Sequence, residues 1–390
     1  MTRLRHRLTP FLAWFGSLGR RGDRTEGETP LDPLRDTDSF WSAVSSSRSD
    51  VVRALYARYP LVPRSYIARH FLNFTRGNPG NPRALLYLDA ELGAPDRAAT
   101  YLKALECVGV TVAGTRCLDI GCSNGALLLA AVAQGASRSV GVEISPHRLA
   151  AARRLTKGQG IELLALDIAR DDLPLGYGPF DLIFCIDTLE HVSSATATLA
   201  TMKRHLDTGP RALAFVSVFN PHHPENVTAE PHYGVPAMVL LPHQEAQSLW
   251  NEVRGAFGSR LEYEVADWIP YGMLIESLRH IGFTSMPFVD SRPILDRERP
   301  FWLGFRERCQ ELEAQVSEGI RGLSARPALR QLLLINLRKY CARFLEDHLE
   351  LASSADLSDE SLIDFFMDYY AQPIQLVLRH AKSHPCDTDL

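Results

Sequence analysis

The 390-residue sequence is short of several things, and each shortage closes off a class of function. No apolar run approaches the ~20 charge-free residues that a membrane-crossing helix needs, so no transmembrane segment is expected. There is no excess of positive charge. The 42 Lys and Arg stand against 46 Asp and Glu, a net charge of −4, which argues against a general nucleic-acid binder and against a DNA partner. The seven cysteines are odd in number and scattered, with no pair at zinc-ligand spacing. They read as free thiols in a reducing compartment, hence a cytoplasmic protein, and not as a disulfide framework. Internal repeats and low-complexity tracts are also missing.

What is present is organised around nine residues, Cys117-Leu118-Asp119-Ile120-Gly121-Cys122-Ser123-Asn124-Gly125. An apolar run ends in a glycine-bearing turn, and the turn opens into Ala126-Leu127-Leu128-Leu129-Ala130-Ala131-Val132-Ala133, a good helix former. Strand, tight loop and helix in that order form the first unit of a doubly wound α/β sheet. The loop has no third glycine, and Ser123 stands in its place. A second strand, Ser139 to Ile144, contains Glu143 near its end. A third, Ile161 to Leu166, is followed by Asp167, and a fourth, Phe180 to Ile186, by Asp187. Acidic residues thus recur at strand C-termini, where open α/β sheets bind ligands. Any one of them could be a helix cap or turn residue instead.

This set resembles the class I S-adenosylmethionine-dependent methyltransferases, in a stretch from about Arg116 to Asn220. Leu118 to Gly125 is similar to the family's first motif, so Asp119, Gly121, Cys122, Ser123 and Gly125 are expected around the methionine end of the cofactor. The resemblance makes Glu143 the ribose-binding acid, with Ile144 beside it. Asp167 becomes the partner of the adenine amino group, Ile168 lies against the ring, and Asp187 is a further cofactor contact. Phe180 to Ile183 and Thr188-Leu189-Glu190-His191-Val192 resemble the fourth motif and the Leu-Glu-His-Val signature of ubiquinone-pathway and natural-product enzymes. The implied fold is a Rossmann-like methyltransferase sheet with helical N- and C-terminal additions.

The expected organisation has four parts. Residues 1–34 form a basic tail and linker. The tail's arginines flank Leu8 to Phe15, and a disordered or loosely docked tail, a membrane-surface or partner-binding segment and a signal peptide remain open readings. Residues 35–105 form a helical cap. Residues 106–304 are the cofactor-binding domain, with an insertion over about 221–268 and a strand expected from Leu261 to Trp268. Residues 305–390 form a helical C-terminal region, with apolar residues from Leu332 to Leu345 and from Leu362 to Tyr370 at helical spacing. A homodimer through these helices is one use for them.

Methyl transfer to a hydroxyl needs alignment and a proton acceptor, and a histidine with a pKa near neutrality suits the second task. His191, His222 and His223, at the ends of the fourth and fifth strands, are the candidate bases, and His232 is a further one. Asp187, Glu190 and His191 also resemble the divalent-metal motif of ubiquinone-pathway and small-RNA 2′-O-methyltransferases, so Mg²⁺ is an alternative there. The expected function is O-methylation of a small-molecule or glycan-precursor acceptor, in small-molecule biosynthesis. A metal-assisted RNA 2′-O-methyltransferase, an aminopropyltransferase and a non-catalytic partner-binding protein on the same fold stay open.

Overall fold

The structure is a computed structural model that describes residues 93–259, 261–289, 294–295, 305–353 and 358–381. The basic tail and linker, and all of the expected helical cap except its last helix, lie outside the described residues. That last helix, α1 (Ala94–Leu105), packs its apolar stripe of Ala98, Leu102 and Leu105 over the first helix of the sheet.

Five strands run parallel. They are β1 (Arg116–Ile120), β2 (Arg138–Glu143), β3 (Ile161–Ala165), β4 (Leu182–Ile186) and β5 (Leu213–Val218). The sheet is completed by β6 (Phe283–Pro287) and β7 (Ile374–His380), in the order β3-β2-β1-β4-β5-β7-β6, with β7 antiparallel to both neighbours. All six residues of β5 are buried, which is the continuous apolar run of a strand covered on both faces. Helices α2 (Ala126–Ala133), α3 (Pro146–Leu155) and α4 (Ala195–His205) make the right-handed crossovers between parallel strands. Strand order reverses beside β1, and the cleft that a doubly wound sheet opens at such a switch point lies over the C-terminal ends of β1, β2 and β4.

Beyond β5 the chain builds a second body on the same sheet. The insertion carries α5 (Pro224–Thr228) and α6 (His243–Val253), and α7 (Tyr271–Ile281) leads into β6. Then α8 (Phe305–Arg321), α9 (Pro327–Ser353) and α10 (Asp359–Tyr369) follow before the chain returns as β7. The buried faces of α8, α9 and α10 pack onto the insertion in one apolar cluster that includes Trp250, Leu333, Leu337 and Phe344. Two expectations are corrected here. The C-terminal stretch is not helical throughout, because Ile374–His380 is the strand that joins β5 to β6. Leu261 to Trp268 is extended but enters no ladder. Its backbone is tied instead to the chain after β4, where the N–H groups of Ala266 and Asp267 donate to the Glu190 carbonyl at 2.7 and 3.3 Å.

Candidate active site

A cleft of about 750 Å³ lies over the C-terminal ends of β1, β2 and β4. Asp119, Gly121, Cys122, Ser123, Glu143, Ile144, Asp167, Ile168 and Asp187 all line it, as expected for a single pocket; Gly125 does not border it directly. Gly121 and Gly125 both have positive φ, 73° and 79°. A Cβ on Gly121 would meet Thr188 Oγ1 at 2.3 Å, so both conformation and space require glycine there. Ser123 also sits in the left-handed region, at φ 47°. The serine that breaks the glycine pattern therefore keeps the backbone glycine would adopt, at a cost of roughly 1–2 kcal/mol.

Glu143 is what holds this loop. One carboxylate oxygen accepts the Ser123 N–H at 3.0 Å and the other accepts the Ser145 N–H at 2.8 Å. The carboxylate thus joins the end of β2 to the turn after β1. Asp119 lies beside it, 5% exposed, and burial first and the Glu143 charge second push its carboxyl up to about 8. Asp167 caps its own turn through the Ala169 N–H at 3.1 Å and pairs with Arg170. Asp187 has φ 49° and is exposed at the cleft, where its carboxylate accepts the Ser217 hydroxyl at 3.0 Å.

The candidate bases do not converge. His191 borders the cleft. His222 does not, because Asn220, at the end of β5, donates to the carbonyls of Met367 and Ala371 at 3.0 Å each and so ties this turn to α10. His222 then meets Asp368 at 3.2 Å and stacks on Tyr369. His223 caps α5, accepting the Glu225 N–H. Both are corrections to the expected set of bases: strand ends alone do not fix where the following loop turns. The near-neutral pKa expected of the base is also corrected for His191. Burial, and then its neighbour His232, push its imidazole down to about 4. It is therefore neutral across the physiological range.

Sequence reasoning missed what surrounds His191. Its Nδ1 lies 3.0 Å from the Glu264 carbonyl, on the extended strap of the insertion, and its ring stands edge-on to His232 at 4.9 Å. His232 Nδ1 lies 2.8 Å from Oε1 of Glu230, a carboxylate that is itself fully buried and also accepts the N–H groups of His232 and Tyr233. The available signal was the Glu230-Pro231-His232-Tyr233 run, an acid two residues before a histidine in a turn. Glu190, Asp187's expected co-ligand, gathers with His191 and His232 instead: one ligand atom of each lies within 4.8 Å of the others. From α1, Arg97 and Tyr101 wall the cleft near Asp187, and Tyr101 is held in the protonated form by burial.

Comparisons with known proteins fall on this same region. Residues 117–209 match the family model described as a methyltransferase domain. Over 112 residues the chain is 33% identical to the ubiquinone biosynthesis O-methyltransferase of Xylella fastidiosa (strain 9a5c). That match covers 28% of this chain and 44% of the relative, so the chain spans less than half the length of the curated relatives it matches. A stretch of 54 residues is 43% identical to the ribosomal protein L11 methyltransferase of Alteromonas mediterranea, covering 14% of this chain and 18% of that one. Among solved structures, an S-adenosylmethionine dependent methyltransferase from Mesorhizobium loti overlaps 49% of this chain and 84% of its own, at 23% identity and a TM-score of 0.37. Residues 117–209 are a methyltransferase domain of the class I S-adenosylmethionine-dependent type. Among the described residues, no helix is long and apolar enough to cross a membrane.

Proposed function

We propose that the chain transfers a methyl group from S-adenosylmethionine to an oxygen of a small-molecule or glycan-precursor acceptor. The observation that carries this reading is the arrangement of the cleft. A loop locked by Glu143 forms one wall, and a neutral imidazole, His191, stands on the opposite side. The curated relative's name adds the oxygen acceptor as a precedent over the matched 112 residues.

The residues present fit the cofactor. A cleft of about 750 Å³ has room for it. Glu143 would take the ribose hydroxyls, with Ile144, 63% exposed, as an apolar face beside them. The backbone of Gly121 to Ser123 would hold the methionine end, and Asp167 with Ile168 the adenine end. When bound, S-adenosylmethionine supplies an electrophilic methyl group on a sulfonium. His191 Nε2, with Nδ1 donating to the Glu264 carbonyl, is a free lone pair that accepts the proton of an acceptor hydroxyl. Its low pKa makes it a weak base, always available and never needing deprotonation. Tyr101 and Arg97 close the side of the cleft and exclude water from the reacting oxygen.

The test is transfer of labelled methyl from the cofactor into fractions of a cell extract and a panel of hydroxylated acceptors. Label in an alkali-stable ether product supports the reading. His191→Ala should lower kcat by roughly 10²-fold or more while leaving cofactor affinity near wild type. The wild-type rate should be flat from about pH 5 to 8, since His191 is already neutral there. Tight cofactor binding with no transfer to any acceptor would turn the reading toward a protein that uses the fold for binding alone.

A further inference from the structure

The second body carries a pair of thiols that methyl transfer does not use. Cys117, Cys122, Cys185, Cys309 and Cys341 are all buried and free. The first three lie in β1, in the turn after it and in β4, and burial is the largest of the effects that push their thiols up, Cys117 to about 11. Cys309 and Cys341 differ because they meet each other, across two helices that share one apolar cluster, α8 and α9. The Cys309 thiol donates to the Cys341 carbonyl at 3.3 Å. The Cys341 thiol is in turn a hydrogen-bond partner of the Cys309 sulfur, and that contact lowers the Cys309 pKa against the opposing effect of burial. The same contact first, and burial second, raise Cys341.

The pair is asymmetric in the way a redox pair needs. One sulfur is the readier thiolate, which is the form that oxidants attack, and its neighbour keeps a proton until it is called on as the resolving thiol. A sulfur 3.3 Å from its partner residue's carbonyl lies within a side-chain rotation of that residue's own sulfur. Burial selects the oxidant. The two residues are 5% and 3% exposed, so a bulky disulfide reagent reaches them only if the helices part. Hydrogen peroxide is close to water in size and needs no such opening.

We propose that Cys309 and Cys341 are a peroxide-modified pair that closes reversibly into a disulfide between α8 and α9. In the first step the Cys309 thiolate attacks one peroxide oxygen and the O–O bond breaks. The departing hydroxide takes up a proton as water, and Cys309 becomes a sulfenic acid. In the second step the Cys341 sulfur attacks the sulfenic sulfur and the S–O bond breaks. The second hydroxide leaves with the Cys341 proton as water. Two thiols have then given up two electrons, and one peroxide has become two waters; a thiol reductant reverses the bond. The disulfide ties α8 to α9 where α9 supports the wall opposite Glu143. Beside Cys341, Tyr340 donates to the His222 carbonyl at 2.6 Å, and one turn earlier Asn336 donates to the Leu240 carbonyl at 2.9 Å. A bond between residues 32 positions apart also restrains the unfolded chain.

The test exposes the full chain, reduced and then freed of reductant, to hydrogen peroxide under native conditions. Free thiols are then alkylated and the chain is cut with trypsin without reduction. A linked peptide joining 309–321 to 340–343 is expected, two hydrogens lighter than its parts, and dithiothreitol should release it. The melting temperature of the linked chain should rise by about 5 °C. In Cys341→Ala the sulfenic acid has no resolving thiol, so dimedone should label Cys309 about tenfold more than in wild type. Cys309→Ala should give neither linkage nor a label on Cys341. Near-ultraviolet circular dichroism checks that each variant is folded. Peroxide that leaves both thiols free overturns the proposal, as does oxidation of wild-type Cys309 to the sulfinic acid with no linked peptide. A linked peptide that forms only in denaturant overturns it too. An unchanged melting temperature in the linked chain overturns the restraint on α8 and α9.

Discussion

The two sides of the cleft are built differently. The side formed by β1, β2 and β3 is made of short-range pieces: a turn, a strand end and the helix that follows, locked by Glu143 to Ser123 and Ser145 across at most 20 residues. The other side is made of long-range pieces. Its wall depends on a strap from 261–268, a turn at 230–233, and helices that return to the sheet only at β7. Asn220 reaches Ala371, 151 residues away, and Tyr340 donates to the His222 carbonyl, 118 residues away. The first side repeats a solution any cofactor of this kind needs. The second is built from the insertion and the C-terminal helices, and it has its own apolar cluster around Trp250.

If the two sides are energetically separate, damage to one should spare the other. Trp250→Ala is the largest such insult. Trp250 is fully buried, packs on Tyr233 at 4.4 Å and donates to the Leu261 carbonyl at 2.9 Å. Its loss should cost about 3–5 kcal/mol of stability. Chemical denaturation should show that loss, while cofactor affinity in the folded protein stays within about twofold. A parallel collapse of cofactor binding would show that the two clusters are one cooperative unit.

Gly121→Ala is the counterpart on the first side. Positive φ and the contact with Thr188 together should cost about 2–4 kcal/mol. Here cofactor binding should suffer at least as much as folding, because the turn itself is displaced. Comparing calorimetry with the denaturation midpoint decides it.

The next effect is one of pH. Asp119 has a folded pKa raised to about 8 against an ordinary value of 3.8. Between those limits the folded state holds a proton that the unfolded state has lost, so stability falls as pH rises from about 4 to 8. His191 acts oppositely: with a folded pKa near 4 against 6.5, it contributes stability that grows as pH rises through that window. Asp119→Asn should therefore flatten the loss of stability above about pH 6.5, measured as Tm against pH. An unchanged slope in that variant would assign it to other buried acids.

His222→Ala should have the smallest effect. It removes the contact with Asp368 and the stacking on Tyr369, about 1–2 kcal/mol of stability. With His222 outside the cleft, kcat of the folded variant should match wild type. A 10²-fold fall in kcat would return His222 to the catalytic set.

The same contrast explains what was legible in the sequence. The side held by Glu143 could be read because its signals are local. Gly121, Ser123, Glu143 and Asp167 each occupy a fixed place relative to a strand end, and the parallel order of β1 to β5 follows from alternating strand and helix. The opposite side could not, because nothing near His222 indicates that Asn220 will turn it toward α10. Likewise nothing near His191 indicates that Glu264 and His232 will come to meet it. β7 was missed for a related reason. Ile374 to His380 is a short apolar run after 65 residues of mostly helical chain, and its role depends on a vacancy between β5 and β6 that only the assembled sheet defines.

The claim on which the rest depends is that the cleft over β1 and β2 holds S-adenosylmethionine through Glu143. Calorimetric titration of the cofactor into wild type and Glu143→Ala tests it most directly, with near-ultraviolet circular dichroism confirming that both are folded. The account predicts saturable one-to-one binding to wild type and a loss of about 1.5–3 kcal/mol in the variant, the range for charge-assisted hydrogen bonds. Equal affinity in the two proteins, or no binding to wild type, would contradict it.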